Sequence, residues 1–99
     1  MINSNSVGSA KVSGKVVVAF PNPFSQATTI SFSSAEGGIA EVSVVNTLGT
    51  QVSRIYSGEL SAGEDKFSWD ASGMASGMYE CIVRMNSNIE RIAIALIHN

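Results

Sequence analysis

The chain has one cysteine, one histidine and two prolines in 99 residues, and only 14% of it is charged. A single Cys81 rules out a disulfide within the chain. This leaves the redox compartment open, because an exported bacterial domain needs no disulfide. His98 is the sole histidine and sits in a tail where chain ends fray. Cys81 falls on the inward side of an alternating run and is expected to be a small buried hydrophobe rather than a nucleophile. No nucleophile, base and orienting group can be assembled from such a set, so neither catalysis nor a cofactor is expected. A net charge of −2 without a basic stripe excludes a nucleic-acid footprint. The longest apolar runs, Val16–Phe20 and Ile92–Ile97, fall far short of the ~18 residues a bilayer span requires. Residues 1–15 contain no apolar core of a secretory signal, so export would need a signal further upstream.

What is present points to a packed β domain. Hydrophobic residues make up 44% of the chain, enough for a core in a single domain of this length. Residues 1–15 are rich in Ser, Asn and Gly and predict a flexible linker, with a sandwich over 16–99. Ala19-Phe20-Pro21-Asn22-Pro23-Phe24 follows. Each proline fixes its own φ and biases the residue before it toward extension, which predicts a stiff extended lead-in anchored by Phe20 and Phe24.

Short alternating runs with turn signals continue to the C-terminus, at the spacing of an antiparallel sandwich of about seven strands. Lys15–Phe20 opens. Thr28–Ser33 places Ile30 and Phe32 inward, with Thr29, Ser31 and Ser33 outward. Ala40–Asn46 and Gln51–Tyr56 are joined by Asn46-Thr47-Leu48-Gly49, where Gly49 supplies positive φ. The uneven alternation of Gln51–Tyr56 predicts a bulge or an edge position. Asp65–Trp69 aligns Phe67 with Trp69, and Asp70–Gly77 forms a corner. Met78–Met85 aligns Tyr79, Cys81, Val83 and Met85. In the last strand, Ile89–Ile97, Ile92, Ile94 and Leu96 face one way and Arg91, Ala93, Ala95 and Ile97 the other. Apolarity on both faces predicts either a central strand or a partner on the outer face, and a monomer is expected rather than a dimer.

Several clusters have two readings. Glu59, Glu64, Asp65 and Asp70 gather near one loop region but lack the spacing of a calcium loop, so a solvated acidic rim is expected and no metal site. Trp69 and Tyr56 could make a sugar platform, yet Trp69 alternates with Phe67 and suits the core. Tyr79, after Ser76-Gly77, has the placement of a tyrosine corner. Asp70 is expected to cap backbone amides of the corner.

These residues carry a resemblance. From Phe20 to Ile97 the chain resembles the C-terminal sorting domain of type IX secretion substrates, an Ig-like domain ending many exported proteins of Bacteroidetes-type bacteria. The matching pieces are Phe-Pro-Asn-Pro-Phe (20–24), Thr-Thr-Ile-Ser-Phe (28–32), Val-Val-Asn-Thr-Leu-Gly-Thr-Gln-Val (44–52), Gly-Glu-Leu-Ser-Ala-Gly (58–63) and Trp-Asp-Ala-Ser-Gly-Met-Ala-Ser-Gly-Met-Tyr (69–79). Arg91-Ile92-Ala93-Ile94-Ala95-Leu96 closes the pattern. The motif residues are thus Pro21, Asn22, Pro23, Phe24, Leu48, Gly49, Trp69, Asp70, Gly77 and Tyr79. The family ending is more basic, whereas here Glu90 precedes Arg91 and the chain closes Ile97-His98-Asn99. The same template is similar to the Ig-like domain of flagellar hook-capping proteins and to Ig-like modules appended to bacterial enzymes.

The resemblance implies a non-catalytic tag. An upstream cargo reaches the periplasm, the outer-membrane type IX translocon recognises the tag, and a sortase-like surface peptidase removes it. The cargo is then released or held at the cell surface. Recognition is expected on the last hairpin, through Arg91, Ile92, Ile94 and Leu96, with cleavage in or beside residues 1–18. The alternative is a structural Ig-like or fibronectin-like module that packs against a neighbouring domain or subunit.

Overall fold

A computed structural model describes residues 15–98 as seven strands in two antiparallel sheets. The strands are β1 (Lys15–Phe20), β2 (Ala27–Ser34), β3 (Gly38–Val45), β4 (Gln51–Leu60), β5 (Gly63–Asp70), β6 (Gly77–Met85) and β7 (Asn88–Leu96). One sheet has the order β1-β2-β5 and the other β4-β3-β6-β7. The expected all-β sandwich of about seven strands is therefore what forms. It is three-on-four because β4 pairs with β3 rather than with β5. Of the linker expected over residues 1–15, residues 1–14 lie outside the described residues, and Lys15 is already the first residue of β1.

Alternation drives the layers. Ile30 and Phe32 of β2, Val42 and Val44 of β3, Cys81 and Val83 of β6, and Ile94 and Leu96 of β7 turn inward and form one buried cluster with Phe24, Trp69 and Tyr79. Ser31 points to the outer side as expected but is buried, because β2 is flanked on both sides and Ser31 Oγ donates to Glu64 Oε2 at 2.8 Å. On β4 both explanations for the irregular pattern hold. The strand is an edge, and its register against β3 shifts between Val42 and Ser43 and between Val44 and Val45. The strand also continues to Leu60, beyond the expected end at Tyr56. The β3–β4 turn has Gly49 at φ 84°, and Asn46 Oδ1 accepts from the Leu48 and Thr50 amides.

Two expectations need correction. Pro21–Pro23 bends instead of running extended, and both X–Pro peptide bonds are cis. The segment has to leave β1 in one sheet and bring Phe24 to β7 of the other, where Phe24 bridges Leu96 in parallel. Only Phe24 anchors the segment in the core, since Phe20 points outward and is 47% exposed. Of the placements left open for β7, the central one does not hold: the strand is the edge of its sheet, and its outer face carries the small Ala93 and Ala95 beside an exposed Ile97.

Candidate functional site

The site is built where Pro21–Phe24 lies along β7. Proline has no amide to donate, so Asn22 and Phe24 carry the only backbone donors of this strap. Asn22 turns its side chain instead: Nδ2 donates to Ala93 O at 2.9 Å, and Oδ1 accepts from the Ala95 amide at 3.0 Å. A carboxamide matches a peptide group in donor and acceptor, so this side chain serves as a rung of β-ladder. Phe24 supplies the next rung, its N–H donating to Ala95 O at 2.9 Å and its carbonyl accepting from Ile97 N at 2.8 Å. Thr28 Oγ1 ties the strap back to β2 through Pro21 O at 2.8 Å. The outer edge of β7 is thereby closed from Ala93 to Ile97.

Below the strap an aromatic row links three motif positions. The Phe24 and Trp69 rings lie 5.7 Å apart and tilted, and Trp69 meets Tyr79 edge-on at 5.5 Å. Tyr56 packs on Phe67 instead, so no Trp69–Tyr56 platform exists. The Tyr79 hydroxyl donates to Ala75 O at 2.5 Å, the bond of a tyrosine corner. Tyr79→Phe is expected to cost about 1 kcal/mol, the worth of one hydrogen bond, and to lower the melting midpoint by several degrees. An unmoved midpoint would refute the corner.

The corner itself is held by Asp70. Its Oδ1 accepts from the Ser72 hydroxyl and, at 2.9 Å, from the Ser72 amide, and these bonds hold the carboxyl below its ordinary pKa. The end of the chain is pinned to the same corner, with His98 N donating to Ser76 Oγ at 2.9 Å and His98 Nε2 lying 2.6 Å from Met74 O. His98 is therefore bound rather than fraying. Gly77 opens β6 beside this corner. Leu48 stands apart on its hairpin tip, 87% exposed.

Of the four residues expected to carry recognition, Ile94 and Leu96 are buried in the core and Ile92 is half-buried against it. Arg91 alone is exposed, with Nη1 at 3.1 Å from Glu80 Oε1. The alternation was legible, but the sign of the face was not: in a folded domain the inward face is spent on packing. The sequence reading missed the Asn22 clamp. Its only signal was an asparagine between two residues that cannot donate.

Cys81 is buried, and desolvation pushes its thiol up to about 12. Its reaction with iodoacetamide at pH 8 is expected to be about a thousandfold slower than in the urea-unfolded chain, in proportion to the lost thiolate. Comparable rates would place the thiol at an accessible position. Among the described residues no group of three His, Cys, Asp or Glu side chains is placed to hold a metal.

Residues 18–97 match the family model of the secretion system C-terminal sorting domain. The chain belongs to that family. Its fold is also similar to part of dimeric latent PorU from Porphyromonas gingivalis, with a TM-score of 0.55 at 14% identity. That match covers 90% of this chain and 10% of the PorU chain, so the sorting domain spans about a tenth of its structural neighbour. No curated protein sequence matches the chain. As a member of its family, the sorting domain is a signal for type IX secretion, associated with export to the cell surface or beyond.

Proposed function

We propose that this sorting domain carries an upstream cargo from the periplasm through the outer-membrane translocon, and that a sortase-like surface peptidase then removes it. The domain acts as a non-catalytic monomer without a cofactor. The observation that carries the reading is the family match over residues 18–97. The placement of β7 at a sheet edge supports it, because edge peptide groups can be read by strand addition with little dependence on side chains. Since Ile94 and Leu96 face the core, recognition through this strand uses Arg91 and the backbone, and Ile92, Ile94 and Leu96 contribute by holding the strand in register.

The test is export of a reporter carrying the 99 residues at its C-terminus in a type IX-competent host. Appearance of the reporter at the surface or in the medium is expected, and deletion of Ile89–Asn99 should abolish it. Retention of the intact fusion in the periplasm would sink the sorting role. That result would favour a structural module, for which the exposed Val16, Val18 and Phe20 on the outer face of β1 offer an apolar surface.

A further inference from the structure

The strap bonds reveal which peptide groups of β7 point out of the sheet. Ala95 turns both its N–H and its carbonyl toward the strap, and Ala93 O and Ile97 N do the same. In an antiparallel ladder such outward groups belong to every second residue. Arg91 and Ile89 therefore present N–H and C=O on the same outer edge, together with the Ala93 N–H. Among the described residues none of these groups has a hydrogen-bond partner. β1 lies beside β7 in the facing sheet but pairs only with β2.

We infer that Ile89–Ala93 is the docking edge of the domain and that Asn22 sets its limit. The occupant is an extended strand of a translocon protein with an apolar side chain over Ile89, and this assignment rests on the sorting reading above. Three observations carry it. The strap already forms a ladder parallel to β7 from Asn22 to Phe24, so an incoming strand that ends at Ala93 continues an established line of pairing. Ile89 is exposed on the flanking face, which supplies an apolar contact. On the same face Arg91 is paired with Glu80 while exposed Arg84 stands across from Ile89, so the edge carries a positive charge that an acidic side chain of the incoming strand would meet. An open edge is otherwise a liability for aggregation, and leaving only this part of β7 unclosed confines it to one short stretch.

Proline substitution tests the edge directly. Ile89→Pro and Ala93→Pro each remove an outward N–H and leave the β6–β7 bonds of the neighbouring residues in place. Ala93→Pro also keeps the carbonyl that Asn22 holds. Proline is tolerated where the N–H faces away from the sheet, so melting midpoints should stay within about 5 °C of the parent chain. Export of the reporter fusion is expected to fall about tenfold or more for both variants, because one rung is lost and an incoming strand meets the ring. Ser57→Pro, on the opposite edge strand β4, should leave export unchanged.

Export of both folded variants at the parental level would overturn the docking edge while leaving the sorting role intact. Failure of the parent fusion to leave the periplasm would instead overturn the sorting role. A parent chain that is dimeric by light scattering, and monomeric after Ile89→Pro, would assign the edge to a second copy and overturn the inference.

Discussion

Trp69→Ala is expected to destabilise the sorting domain by about 3–5 kcal/mol, the cost of removing a buried tryptophan. Trp69 lies between Phe24 and Tyr79, so its loss opens a cavity beneath the strap and beside the corner together. For a domain whose whole stability is on the order of 5–15 kcal/mol, such a loss consumes much of the margin. The melting midpoint should fall by about 15 °C or more, read by circular dichroism. Trp69→Phe should recover part of the loss, because it keeps an aromatic contact with both neighbours. A fall of less than about 5 °C in Trp69→Ala would show that the aromatic row does not hold this end of the sandwich.

Ile94→Ala is the second large effect, about 2–5 kcal/mol, since the side chain is completely buried opposite Tyr79. Its interest is functional. Ile94 lies on the strand expected to be recognised, and a loss of export in this variant invites the conclusion that the side chain touches the translocon. Its position in the core says otherwise: export should fall in step with stability. Val83→Ala, a core truncation on β6, provides the comparison. The two variants should fall on one line relating export to melting midpoint. If Ile94→Ala stops export while melting like the parent, the side chain is read by the partner and its core role is wrong.

The motif residues show how far local chemistry reaches. Gly49 was legible because a tight turn needs positive φ, and Tyr79 because a tyrosine after a corner has few other uses. The strand pattern was legible because alternation with period two reports which side chains share a face. Asn22 was harder. Between two prolines it reads only as part of a stiff extended lead-in, and its partners at Ala93 and Ala95 lie more than seventy positions away. The lead-in was expected to run straight for the same reason, since neither proline records that the chain has to cross from one sheet to the other.

Alternation, turn chemistry and composition were enough to establish an all-β sandwich and most of its core residues, because each depends on contacts within a few residues, while the resemblance to the family rested on the order of its motifs. Which strand lies at an edge, and which part of that edge is open, depends on pairing between distant segments. Period two cannot report it: Ile92–Ile97 has the same pattern whether β7 is central or lateral. The strap decides the matter by occupying the outer groups of Ala93, Ala95 and Ile97, and so leaves those of Ile89 and Arg91 outside the bonds it makes.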